Sequence, residues 1–130
     1  MPAALKLVLL IALAGALGSL SRYGLSKFVN SFSGPDSVFT FGTLVVNVIG
    51  CFLFGLIVAL SGSEGTFSNE TKIILLAGFM GAFTTFSTFA FEGAELLQKG
   101  HHLTLVLHIL AHNVAGLIAV FAGLSLGSQT

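Results

Sequence analysis

The sequence predicts an all-α membrane protein of four transmembrane helices, the third of them broken mid-membrane, and three observations lead there. Of the 130 residues, 55% are hydrophobic and 8% charged, against about 25% charged in a soluble domain; mean hydropathy is +1.00. Four apolar segments long enough to cross a bilayer follow one another as a single domain over about 5–25, 39–60, 71–98 and 102–126. Within the third lies Gly78-Phe79-Met80-Gly81-Ala82-Phe83-Thr84-Thr85-Phe86-Ser87-Thr88-Phe89. Its glycines and paired β-branched threonines make a poor continuous helix.

The first segment reads as a span rather than a signal peptide, since its apolar run is long and three more follow. Ala14, Gly18 and Arg22 are spaced four apart, and small residues at that spacing let another backbone approach closely. Arg22 near the span's end either snorkels into headgroups or raises anion concentration at a pore mouth. A polar loop with Asn30, Ser33, Gly34, Pro35 and Asp36 leads to the second span. There Thr43 and Asn47 share a face. An Asn in lipid is costly without a partner, so Asn47 marks either an interhelical hydrogen bond or a wet path. Cys51, the only cysteine, reads as a small buried hydrophobe.

The third span opens with Ser68 or Asn69 as a cap and Glu70 in its first turn. Unbroken from Thr71 to Gln98 it would run roughly 42 Å against a hydrocarbon core of about 30 Å. An interruption near Gly81–Thr84 shortens it, and freed backbone at that depth must be buried, line a wet cavity or hold an ion. Phe86 and Phe89 then share one helix face. They are either ordinary packing or a pair whose electropositive ring edges favour a small anion, with Ser87 and Thr88 supplying hydroxyl donors. Towards the end, Glu95 and Lys99 form an i,i+4 pair, while Glu92 is deeper, at headgroup level or in a vestibule. The fourth span places His101, His108 and His112 on one face, with His102 at its start. His108 and His112 have the i,i+4 spacing of metal ligands, but polar helix-interface or pore-lining roles suit them as well. Gly55 with Ala59, and Ala119, Gly123 and Gly127, form further small-residue seams.

Charge fixes little about orientation. With four spans, Lys6 and Lys72 fall on one side and Arg22, Lys27 and Lys99 on the other, almost no positive-inside bias, so the chain inserts either way. Four short helices form a thin bundle and the seams offer surface to spare, so a homodimer is expected and an antiparallel one allowed. Zero formal net charge gives no attraction for nucleic acid.

Gly42-Thr43-x-x-x-Asn47-x-x-Gly50, Gly18-x-x-x-Arg22 and the Gly78–Phe89 run resemble the Fluc (CrcB) family of fluoride ion channels over essentially the whole chain. The resemblance implies an antiparallel, dual-topology homodimer in the cell's inner (plasma) membrane that exports fluoride passively down its electrochemical gradient. It implies a structural, untransported Na⁺ at the dimer centre, held by the backbone carbonyls of Gly81 and Thr84 from each subunit. Phe86, Phe89, Asn47, Ser87, Thr88 and Thr43 match the fluoride pathway, and Arg22 its mouth. His108 stands where the family carries a tyrosine; an imidazole donor there would make conduction depend on pH, and parent and His108→Gln would then differ in pH profile.

The nearest rival, a proton-coupled small multidrug-type transporter of four helices, needs a membrane-embedded carboxylate, and the first two spans contain no Asp or Glu. An enzyme would need paired carboxylates or a nucleophile with its base, and neither set is present. A purely structural helper of a larger complex would carry no current alone.

Overall fold

Apolar runs bounded by Gly-, Ser- and Pro-containing segments become helices. The computed structural model describes residues 1–34, 37–62 and 66–129. Pro35 and Asp36 of the first loop, and part of the Gly- and Ser-rich second loop, lie outside the described residues. Helix α1 covers Ala3–Asn30 and α2 covers Phe41–Gly62. The third span comprises α3 (Asn69–Ile73), a π-helical stretch Ile74–Met80, α4 (Gly81–Phe83) and α5 (Phe86–Gln98). Helix α6 covers His102–Gly127. All four spans are long and apolar enough to cross a membrane; this is a multi-pass membrane protein. Helix α1 overruns the span expected from sequence, because its polar end from Arg22 to Asn30 stays helical beyond the apolar stretch, while α2 starts and ends two residues later than expected.

Ser68 caps α3, its hydroxyl accepting the Thr71 N–H. Gly100, with φ 76°, turns the chain from α5 into α6, a left-handed conformation that a Cβ would disfavour.

Small residues decide the packing. Along the α2–α6 contact, a Cβ on Gly55 would collide with the Val120 carbonyl and one on Gly123 with the Phe52 carbonyl. Gly127 meets Ala59 in the same way at 2.7 Å. The seams of the second and fourth spans therefore bring these two backbones together within one chain. Helix α1 makes an equivalent contact with the third span: a Cβ on Gly18 would collide with the Phe79 carbonyl, and one on Gly78 would stand 2.9 Å from Ala14 Cβ. Asn30 Oδ1 accepts the Gly42 N–H at 2.8 Å, tying the end of α1 to the start of α2. Val46, Met80 and Phe83 form the buried centre between these layers.

Candidate functional site at the helix break

The third span opens at Thr84 (φ −82°, ψ 155°) and Thr85 (φ −146°, ψ 116°), both extended. Gly81 remains helical. The threonines, not the glycines, leave helical conformation, at the end of the Gly81–Thr84 stretch where the interruption is expected. Extended backbone suits β-branched residues, and the rest of the fold supplies what the opened backbone needs.

Asn47 does this first. Its Oδ1 accepts the Thr85 N–H at 2.8 Å and its Nδ2 donates to the Thr85 carbonyl at 3.0 Å. One side chain thus satisfies both polar groups of one residue, as a neighbouring strand would. In an unbroken helix the Thr85 N–H would return to the Gly81 carbonyl; that carbonyl loses its helical donor. Gly50, one turn from Asn47 on α2, leaves room for the break, since a Cβ there would collide with Thr84 Cγ2. The Arg22 guanidinium donates through Nε to the Ala82 carbonyl at 3.1 Å. Arg22 therefore reaches inward to the break rather than only out to headgroups. Thr84 turns back, its N–H and hydroxyl both donating to the Met80 carbonyl at 3.0 Å. Thr85 caps α5, its Oγ1 accepting the Thr88 N–H at 3.2 Å.

Two clefts meet at Thr85. The larger, about 670 Å³, is lined by Arg22, Lys27, Asn30, Thr43 and Thr88. The smaller, about 320 Å³, is lined by Asn47, Thr84, Phe86, Phe89 and His112. The clamp of Asn47 on Thr85 lies between them. The Phe86 and Phe89 rings are 5.5 Å apart and tilted by 47°, with Phe86 78% exposed on the single chain. Ser87, on the first turn of α5, lines neither cleft; its hydroxyl lies 3.2 Å from that of Thr85. The break thus sets two helix ends against each other, carbonyls at the end of α4 and amide groups at the start of α5, which favour a cation and an anion respectively.

Three features were not foreseen from sequence. The π-helical stretch before the break has no signal beyond Gly78, which packs against Ala14 and Ile11 of α1. Glu92 faces α2, where its Oε1 accepts the Thr43 hydroxyl at 2.6 Å, and its Oε2 is buried without a partner among the described residues. His108 is 1% exposed, and its Nε2–H donates to the Phe89 carbonyl at 3.0 Å. His112 donates from Nδ1 to the His108 carbonyl, also at 3.0 Å. Each of the two imidazoles therefore has one nitrogen committed to a backbone carbonyl, and His112 Nε2 is buried without a partner among the described residues. No group of three or more His, Cys, Asp or Glu side chains converges as a metal site among the described residues. At the break itself, the Gly81 carbonyl is left open because the Thr85 N–H is diverted to Asn47. The expected Glu95–Lys99 pair forms at 3.3 Å.

The chain is similar in sequence to known proteins. Residues 9–124 match the family model described as CrcB-like protein, Camphor Resistance (CrcB). The chain is 49% identical over 116 residues, 89% of its length and 91% of the relative's, to a fluoride-specific ion channel FluC of Nitrosococcus oceani. It is 49% identical over 117 residues, 90% of its length and 92% of the relative's, to the protein of that name from Solidesulfovibrio magneticus. With fluoride-specific ion channel FluC 1 of Methanosarcina acetivorans it shares 44% identity over 117 residues, covering 89% of this chain and 86% of that one.

Proposed function

This chain belongs to the CrcB-like family, and on that premise we propose that it is a fluoride-selective channel through which fluoride leaves the cell down its electrochemical gradient. A channel makes and breaks no covalent bond, so it needs no nucleophile or general base. It needs a path that strips water from the ion and replaces it with fixed donors and ring edges. What supports this reading most is the pair of clefts meeting at the clamped break, with Phe86 and Phe89 on one side and the Thr88 hydroxyl with Arg22 on the other, the Thr43 hydroxyl there being committed to Glu92. Fluoride would be drawn towards Arg22, pass hydroxyl donors, and meet ring edges whose positive rim suits a small anion. Chloride, larger and more weakly hydrated, would be excluded by the same narrow fit.

Two copies, inserted antiparallel in the inner (plasma) membrane, complete the proposal. The even charge distribution allows both orientations, and the exposed Phe86 and Gly81 are suited to cover by a second chain. The Gly81 and Thr84 carbonyls of each copy would hold a structural Na⁺ between the two breaks. Hard oxygen donors suit that ion, and the diversion of the Thr85 N–H to Asn47 leaves the Gly81 oxygen available for it. The bound cation supplies positive charge that holds two opposed carbonyl ends together.

Purified protein in liposomes tests the activity. Fluoride efflux measured by electrode is expected from vesicles holding this protein alone, with none of comparable rate for chloride. No fluoride efflux above empty vesicles refutes the reading.

A further inference from the structure

His108 matches a pathway position, yet it is buried and lines neither cleft at the break. Its ring lies flat on Phe89, centroids 4.9 Å apart and planes 16° apart. Its Nε2–H is committed to the carbonyl of that same Phe89. From behind, the Phe39 ring meets it edge-on at 5.7 Å, and the His112 ring packs at 4.5 Å. Gly93 leaves room beside it, the position of an added Cβ being 3.8 Å from His108 Cδ2. The imidazole is held by three aromatic neighbours and grips one of them at both backbone and ring.

We propose that His108 is a positioning residue for the Phe89 ring and not a donor to the passing ion. The inference rests on Phe89 as the ring that faces fluoride. A phenyl ring offers an anion its edge and repels it with its face, so the tilt of Phe89 decides whether the cleft attracts or rejects fluoride. Phe89 borders the smaller cleft, and of the rings packed on it, His108 at 4.9 Å, His112 at 4.7 Å and Phe86 at 5.5 Å, only His108 lies flat against it, the other two being tilted by 48° and 47°. A flat plate there fixes the tilt, while the hydrogen bond to the Phe89 carbonyl keeps plate and ring in register along the two helices. A donor role would instead require a ring N–H pointing into a cleft, whereas the Nε2–H points at α5 backbone.

The two roles predict opposite results for two substitutions. His108→Phe keeps a flat ring and removes the donor; His108→Gln keeps a donor and removes the ring. Single-channel fluoride currents in planar bilayers are the readout, because neutral HF carries none. A plate predicts His108→Phe within about threefold of the parent conductance, and His108→Gln reduced by about tenfold or more with weakened discrimination against chloride. Where His108→Phe does not fold, His108→Tyr, also a flat ring, is expected to recover conduction in its place. Parent-like currents from His108→Gln, or equal loss in Gln and ring variants, overturn the proposal. The ring-flip rate of isotopically labelled Phe89 tests the plate without transport: slow in parent and ring variants, fast in His108→Gln. Equal rates in all of them overturn it, whereas a parent that conducts nothing but shows this order of rates refutes the channel reading alone.

Discussion

Glycine serves opposite ends in two regions of this molecule. Along α2 and α6, Gly55, Gly123 and Gly127 belong to intact helices and remove side chains so that two backbones touch. Around the third span, Gly50 removes a side chain so that a neighbouring backbone can leave helical conformation, its vacant Cβ position filled by Thr84 Cγ2. The first region satisfies its amides and carbonyls within its own helices and needs only van der Waals fit. The second opens its helix and must borrow partners from Asn47 on α2 and Arg22 on α1. Stability in the seam is therefore a matter of shape, and at the break a matter of hydrogen-bond satisfaction.

The sharpest way to break that contrast is Asn47→Ala. It strands the N–H and carbonyl of Thr85 at membrane depth, about 1–3 kcal/mol for each group. Thermal denaturation in detergent should show the combined loss, and fluoride efflux should fall with it. An unchanged melting temperature would mean that the break holds itself open. In the seam, Gly123→Ala forces a methyl group onto the Phe52 carbonyl and should cost about 1–3 kcal/mol by overpacking. The variant protein that still folds should keep its selectivity for fluoride over chloride, because no residue of the break has moved. Phe86→Ile separates stability from activity most cleanly. With Phe86 78% exposed on the single chain, its replacement should leave chain stability within about 0.5 kcal/mol and still abolish most fluoride efflux. Smallest of all, Lys99→Ala removes a surface pair whose side chains are 62% and 44% exposed. Such pairs contribute about 0–1 kcal/mol, so neither melting nor efflux should change measurably.

The contrast also separates what could be read in the chain from what could not. Periodicity and composition reveal the four spans, the Ser68 cap and the Glu95–Lys99 pair, because each depends on residues within a turn or two. The break was legible because the Thr84-Thr85 pair follows two glycines in a span too long for the bilayer, and it opens at the threonine end of the expected Gly81–Thr84 stretch. Asn47 announced itself as a costly polar residue in lipid, and its partner proved to be the break. Partners distant in sequence were hidden. That Glu92 meets Thr43, that Arg22 reaches the Ala82 carbonyl and that His108 stacks on Phe89 depend on the rotation of each helix about its axis. The small-residue seams were visible but ambiguous, since a close-packing face does not say whether the other backbone belongs to the same chain.

A density map of the protein prepared in a sodium salt tests the central claim most directly. The account predicts extended backbone at Thr84 and Thr85, Asn47 bridging the Thr85 N–H and carbonyl, and an ion peak enclosed by the Gly81 and Thr84 carbonyls of two crossing chains. A third helix continuous from Asn69 to Gln98, or an open break with water but no cation between the chains, would contradict it.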